Sequence, residues 1–350
     1  MKNWQRAKSD ANFRKQLLVR GQIVDAIRSF FKSEGFLEVE TPLLVKHPGT
    51  EPYLEVFQTE LRVAGQAPQP AFLLTSPELS MKKLLSAGFG SMFQICKSFR
   101  NEEGVSSFHN PEFTILEWYR VNADYTDIMD DFEKLMLHIL RELGHTGSEL
   151  TYQSKTYDLN APWERISIAR AFEKYAGVDE ETLLSEEKLK SAAVAMGYNV
   201  TVDTSWEEVY NQILLNEIEP RLGVDGPTVL YDYPASQAAL SRRKTDDSRF
   251  AERFEVYLAG LELGNAFTEL TDPSEQRQRM ENDLAERRQL GKTEYGLDED
   301  FLAALGDMPP TGGIAVGVDR LVMLFADAPT LDETLFFPAK DLFDLSPEEV

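Results

Sequence analysis

Two stretches of alternating sequence place carboxylates where a strand would turn them inward. Phe113, Ile115, Glu117 and Tyr119 fall at every second position, so a strand here shows a carboxylate, a phenol and an aromatic ring on one face. Asn265, Phe267 and Glu269 repeat the pattern between the small residues Gly264, Ala266 and Thr268. Charge on a core-facing strand is costly unless paired, so an inward set of Glu78, Glu117 and Glu269 implies a bound cation such as a ligand ammonium. An amphipathic sheet with its acids in water satisfies the same alternation.

Glu255 and Glu262 flank a hairpin around Leu258, Ala259 and Gly260. With Leu258-Ala259 as its two-residue turn, the two carboxylates lie directly opposite, an arrangement that a divalent cation such as Mg2+ would relieve. A turn at Ala259-Gly260 separates them and leaves two solvated acids. Gly312, Gly313 and Gly317 surround Ile314-Ala315-Val316, where backbone can approach a ligand closely. Asp319 then stands where it could cap the following helix, and Arg320 where its charge could meet a phosphate. Arg100 and Glu102 share one face of an earlier segment. His47, His138 and His145 have no ligand-spaced partners and read as structural or surface residues. Gly291-Lys292-Thr293 resembles the end of a phosphate loop, but Glu286 stands where its first glycine belongs.

The elements that position these residues follow from periodicity. Ile23, Ile27, Phe30 and Phe31 predict a helix over 20–34, stopped by Gly35, and 36–42 reads as a strand ended by Pro42. Ser76 is the expected cap and Pro77 the first residue of a helix that Gly88 closes. Strands are expected at 92–99 and 111–120 around a polar loop, then a helix over 127–143 capped by Thr126. The polar region 145–225 shows helical patterns at 164–176, 186–196 and 206–219. Strands return at 227–233, 252–258, 261–271 and 312–318, followed by a helix over 320–325 and an acidic tail, 341–350. Without βαβ alternation, the fold class is α+β: an antiparallel sheet flanked by helices.

The 350 residues hold 36 Lys and Arg against 59 Asp and Glu, a formal charge of −23, which argues against a nucleic-acid scaffold; it suits a basic protein partner better, though ordinary solubility accounts for it more simply. The single cysteine, Cys96, excludes an intramolecular disulfide and a thiolate-rich metal site and fits a reducing, cytoplasmic setting. The first thirty residues contain no uninterrupted apolar segment for a signal peptide or membrane span, so a soluble protein is expected.

Three runs in order, Phe36-Leu37-Glu38-Val39-Glu40-Thr41-Pro42, then Phe99-Arg100-Asn101-Glu102 with His109-Asn110-Pro111-Glu112-Phe113, then Gly317-Val318-Asp319-Arg320, resemble the three motifs of the class II aminoacyl-tRNA synthetases. The resemblance spans roughly 20–325. Ser76-Pro77-Glu78, Leu116-Glu117-Trp118-Tyr119 and Gly264-Asn265-Ala266-Phe267-Thr268-Glu269 are similar to the lysine branch. The first motif begins near residue 36, so no N-terminal anticodon-binding barrel is expected ahead of it. Tyr231-Asp232-Tyr233-Pro234-Ala235-Ser236-Gln237-Ala238-Ala239-Leu240 lacks the Glu and second Pro of lysyl-tRNA synthetases, and Ala315 replaces their usual glycine. These departures resemble the short paralogues that modify elongation factor P.

The resemblance implies one catalytic domain over 1–340 with a six- or seven-stranded antiparallel sheet, 145–225 as a helical insertion, homodimerisation through the first motif, and ATP with Mg2+ on the sheet. It assigns the α-phosphate and the substrate carboxylate to Arg100 and adenosine to Glu102 and Asn110, with Asn101 also among the ATP-binding residues. Phe113 and Arg320 would sandwich adenine, His109 would touch the outer phosphates, and Leu263 and Gly317 would line the nucleotide pocket. Glu262 with Glu255 would hold Mg2+. Ser76, Pro77, Glu78, Glu117, Tyr119, Asn265, Glu269 and Ala315 would bind the amino acid, lysine or (R)-β-lysine, Glu78 taking the α- or β-ammonium. The implied reaction passes through an aminoacyl-adenylate, with catalysis from Arg100 and Arg320, to a lysine of elongation factor P; tRNA is not expected as a partner. A stand-alone tRNA-charging enzyme and a non-catalytic amino-acid-binding paralogue are the alternatives.

Overall fold

The computed structural model describes residues 1–345. A short helix, α1 (Asn3–Ser9), leads into α2 (Ala11–Ser33), which begins earlier than the 20–34 pattern because Asp10 caps it, accepting from the Phe13 N–H at 2.9 Å. Gly35, at φ +80°, turns the chain out of α2. The expected strand 36–42 shrinks to β1 (Leu37–Glu38). A small three-stranded sheet follows, β2 (Leu44–Val45), β3 (Gln58–Leu61) and β4 (Gln69–Leu73), and then α3 (Glu78–Ser86).

The two strands expected around the polar loop are β5 (Met92–Phe99) and β6 (Glu112–Val121). The next helix, α4 (Tyr125–Glu142), is capped by Asp124 and not by Thr126: Asp124 accepts from Thr126 N–H at 2.8 Å and Asp127 reciprocates to Asp124 N–H at 2.9 Å.

Region 145–225 is only partly helical. It opens with a hairpin, β7 (Glu149–Tyr152) and β8 (Lys155–Asp158), and then β9 (Glu164–Ser167). The hairpin turns at Gln153 and Ser154, both at positive φ, with no glycine to announce it. The helical remainder, α5 (Ile168–Ala171), α6 (Glu180–Leu183), α7 (Glu186–Ala195) and α8 (Trp206–Ile213), packs around Phe172, Leu189, Tyr210 and Ile213.

The chain then lays down β10 (Thr228–Pro234), β11 (Phe250–Leu258) and β12 (Leu261–Thr268). Two unanticipated helices follow, α9 (Pro273–Gln289) and α10 (Glu299–Leu305). In α9 only Gln276, Met280 and Arg287 are buried, so no apolar stripe reveals it. β13 (Thr311–Gly317), α11 (Val318–Phe325) and α12 (Ala339–Phe343) complete the described chain. The first part of the expected tail is folded: Asp341 accepts from Asn3 N–H at 2.7 Å. Residues 346–350 lie outside the described residues.

The main sheet has eight strands in the order β1-β5-β6-β13-β12-β11-β10-β9, exceeding the expected six or seven. Its central pairs are antiparallel, while β1 on β5 and β9 on β10 are parallel. One face packs on α2, α4 and α11 through Phe31, Phe93, Trp118 and Phe132; Phe31 stacks on Phe93 at 4.9 Å. Full burial of each such ring stabilises by about 1.5–3 kcal/mol, which fixes that face as core. The opposite face, flanked by α3, α9 and α10, is left to build a site. No helix among the described residues is long and apolar enough to cross a membrane.

Candidate active site

A cavity of about 740 Å³ opens on that second face. One end is cationic. Arg100, just beyond β5, lies with its guanidinium 5.0 Å from the Phe113 ring centroid and donates to Glu103 at 3.1 Å. Arg320, in the first turn of α11, donates to the Glu262 carbonyl at 2.7 Å and reaches its carboxylate at 3.3 Å. His109 Nε2 lies 3.3 Å from Arg320. Burial, and then the charge of Arg320, hold the imidazole below its ordinary pKa, so it is neutral at pH 7.

The hairpin turns at Ala259-Gly260, with both residues at positive φ, so Glu255 and Glu262 are not direct partners: Tyr257 opposes Glu262 and Asn265 opposes Glu255. The two acids nevertheless share the cavity face. An extra residue in β12, Leu263, shifts the phase so that Asn265 joins them, which strict alternation forbids. Tyr257 OH and Arg253 both donate to Glu255 at 2.7 Å. Glu219, absent from the sequence expectations, completes the acidic surroundings: burial, then Glu255 and Glu262, lift its carboxyl to about 7. Among the described residues no three His, Cys, Asp or Glu side chains are arranged to hold a metal unaided. Glu262, which lines the cavity, and Glu255 beside it nevertheless make up the pair of carboxylates that Mg2+ takes together with nucleotide phosphates.

The other end is anionic. Ser76, Glu78, Asn265, Phe267 and Ala315 line it. Ala315 is held between Glu117 of β6 and Asn265 of β12 in the sheet register. Glu117, Tyr119 and Glu269 lie behind this lining, each at most 3% exposed, so the inward reading of the acids holds and the water-facing one does not. Glu117 accepts from Ser76 Oγ at 2.5 Å and from Tyr119 OH at 2.9 Å. Burial, then the neighbouring Glu78, push its carboxyl up to about 8; Glu269, also raised chiefly by burial, lies at about 7. The cation these acids demand is partly internal: Lys82, which sequence reasoning passed over, sits 2.5 Å from both Glu78 and Glu269. The Glu78–Lys82 spacing of four was legible, but on a helix it reads equally as a surface pair.

Other expectations are corrected. Glu102 takes φ +60°, which breaks the alternation with Arg100; its carboxylate points out to Lys292 at 2.8 Å. Asn101 accepts from Glu102 N–H at 3.1 Å, and neither residue lines the cavity. Asn110 does line it, but its amide donates to Glu112 O at 2.5 Å and accepts from Ala339 N–H at 2.9 Å, which commits it to the protein. Pro77 stands at the N-cap position of α3, with Ser76 Oγ accepting from Glu78 N–H at 3.1 Å. Asp319 does not cap α11, whose N-cap residue is Gly317; it accepts from Arg20 and, at 2.8 Å, from Thr114 N–H. Gly312 and Gly313 of β13 admit protein, not ligand: a Cβ on Gly313 would meet Glu269 Oε1, and one on Gly312 would lie 2.6 Å from Asp124 O. Leu263 and Gly317 line the cavity as expected.

The far wall comes from loop 49–54, which carried no chemical signal, and from segment 235–240, which the sequence marked only as a departure from the lysyl-tRNA synthetases. Arg287 of α9, 1% exposed, ties the loop down by donating to the carbonyls of Glu51, at 2.8 Å, and Leu54.

Comparison with known proteins places the chain in a family. A family model described as tRNA synthetases class II (D, K and N) matches residues 2–341. The lysine–tRNA ligase of Dehalococcoides mccartyi is 39% identical over 347 residues, 97% of this chain and 68% of that protein. The elongation factor P–(R)-β-lysine ligase of Hamiltonella defensa is 39% identical, covering 97% of this chain and 98% of that protein. The protein of the same name from Sodalis glossinidius is 41% identical over 96% and 97%.

Proposed function

The chain belongs to the class II tRNA synthetases (D, K and N) and is a ligase; on that premise we propose that it activates (R)-β-lysine or lysine with ATP as an aminoacyl-adenylate and transfers it to the ε-amino group of a lysine on elongation factor P. The observation that carries the reading is the opposed charge of one cavity. Arg100 and Arg320 stand at one end; at the other Glu78 lines the cavity, with Glu117 and Glu269 behind it and a single ammonium, Lys82, shared between Glu78 and Glu269. An amino acid with a distant side-chain ammonium spans those ends with each charge compensated.

In the first step a carboxylate oxygen of the amino acid attacks the α-phosphorus of ATP in line, a P–O bond forms, and the bond to pyrophosphate breaks. Arg100 takes the α-phosphate and the substrate carboxylate, and Arg320 with Phe113 takes the adenine, Leu263 and Gly317 lining its pocket. Neutral His109 offers a hydrogen bond to the outer phosphates without adding charge. Glu255 and Glu262 would hold Mg2+, which when bound supplies charge neutralisation to the phosphates. No protein nucleophile is required; positioning and electrostatic stabilisation account for the step. In the second step the acceptor amine attacks the acyl carbon, AMP leaves with the bonding pair, and the nitrogen loses a proton as the amide forms.

Relatives named for the elongation-factor reaction match over nearly the whole of both chains, and a net charge of −23 disfavours a polyanionic acceptor. The lysine–tRNA ligases, of which the chain spans about two thirds, keep tRNA as the competing acceptor. Intact-mass analysis after incubation with Mg-ATP, either lysine isomer, elongation factor P and bulk tRNA decides between them. One lysyl increment on elongation factor P with tRNA uncharged is expected; acylation of tRNA alone would overturn the proposed acceptor.

A further inference from the structure

Lys82 is 1% exposed, yet it lies in the amino-acid end of the site and not in a structural ion pair remote from it. The four-residue spacing on α3 brings its ammonium beneath Glu78, and the end of β12 brings Glu269 to it from the other side, each at 2.5 Å. Glu117 completes the set, facing the same recess from β6. Glu51, the next carboxylate outward, borders this group: burial and then Glu78 hold its carboxyl above the ordinary range, against the charges of Arg100 and Arg287, which draws it toward the neutral form and keeps it from adding a full charge to the count. Buried charges persist when each has a partner. Three carboxylates with one resident ammonium leave two negative charges when all are ionised. A ligand with two ammonium groups neutralises the recess; one with a single ammonium leaves a carboxylate without a partner.

We infer that Lys82 is a specificity-determining residue, a resident cation that sets the number of ammonium groups the site accepts at two and so selects diamino acids over monoamino acids of the same length. This inference rests on the proposed activation of a lysine isomer. Without Lys82 the recess is over-charged for lysine. Without Glu269 but with Lys82 it is matched to one ammonium, and without both it is again matched to two. The changes must therefore compensate, which two independent losses of contact would not do.

The experiment uses the full chain with Lys82→Met, Glu269→Gln and the double variant, measuring amino-acid-dependent pyrophosphate exchange and calorimetric binding for both lysine isomers and norleucine. Each single change is expected to raise the KM for lysine by at least about tenfold, and the double variant to fall below both singles. Glu269→Gln alone should shift preference toward norleucine, and adding Lys82→Met should reverse that shift. Thermal melting separates loss of fold from loss of site, because a purely structural Lys82 leaves lysine KM unchanged in the folded fraction. Additive or worse effects in the double variant, with wild type activating lysine normally, overturn this inference alone. Failure of the wild type to bind or activate either lysine isomer overturns the proposed function and this inference with it.

Discussion

If a ligand ammonium engages Glu117 and Glu269, affinity for lysine must depend on pH in a way the empty site dictates. Glu117 stands at about 8 and Glu269 at about 7, surrounded by Glu78 and Lys82 from α3, Tyr119 on the same strand and Cys96 from β5. An ammonium beside an ionised carboxylate favours the ionised form, so binding lowers both values and releases protons; where protons are released, binding strengthens as pH rises. With both groups ionised in the complex, the KM for lysine should rise about tenfold from pH 8 to pH 7 and about fiftyfold more from pH 7 to pH 6. The ligand-free protein should show the opposite sign. A carboxyl raised on folding contributes stability that is present below its unfolded value and fades as pH climbs toward its folded one, so lysine should raise the melting temperature more at pH 8 than at pH 6. Pyrophosphate exchange across this range, with calorimetry in two buffers of different ionisation enthalpy to count released protons, reads both effects. In Glu117→Gln the tenfold step between pH 8 and pH 7 should shrink to about twofold, the share of Glu269. A lysine KM that is flat from pH 6 to pH 8, with no proton released, would refute the placement of the ammonium beside these acids.

Three further outcomes follow from single side chains. Ala315→Gly, which removes the methyl between Glu117 and Asn265, should shift the ratio of α- to β-lysine rates toward α-lysine by about tenfold; an unaltered ratio removes Ala315 from the substrate wall. Gly313→Ala places a Cβ against Glu269 Oε1 and 2.5 Å from the Tyr119 ring, so lysine KM should rise by about tenfold or more with ATP KM unchanged; equal effects on both would show a general disruption. Arg287→Met leaves the carbonyls of Glu51, Leu54 and Thr293 without their donor, a loss of about 3–5 kcal/mol that should lower the melting temperature by on the order of 10 °C. A shift within experimental error would mean that the loop holds its place without that clamp.

What the sequence disclosed, and what it hid, follows from how far each signal reaches along the chain. Alternation is a local signal, and it put Glu117 and Tyr119 on one face and Asn265 with Glu269 on another strand's inner face, where the structure has them. It failed where one residue changes the phase: the bulge at Leu263 brings Glu262 and Asn265 together across an odd spacing, and positive φ at Glu102 turns that carboxylate to solvent. Caps and glycines marked helix ends well at Gly35 and Gly88, whereas α9, with so little of it buried, left no apolar period to find. The largest omission was of another kind. The sequence required a cation among Glu78, Glu117 and Glu269, and the inference assigned all of it to the ligand, because a lysine four residues along a helix looks the same from sequence whether it points into water or beneath a sheet. Only packing decides between these: α3 lies against α10, its Leu79, Met81 and Leu85 facing Phe301, Leu302 and Leu305, and that rotation carries Lys82 under the floor of the cavity. The charge of the recess is therefore a property of how one helix rolls on another, and the distinction between one and two ligand ammonium groups depends on it.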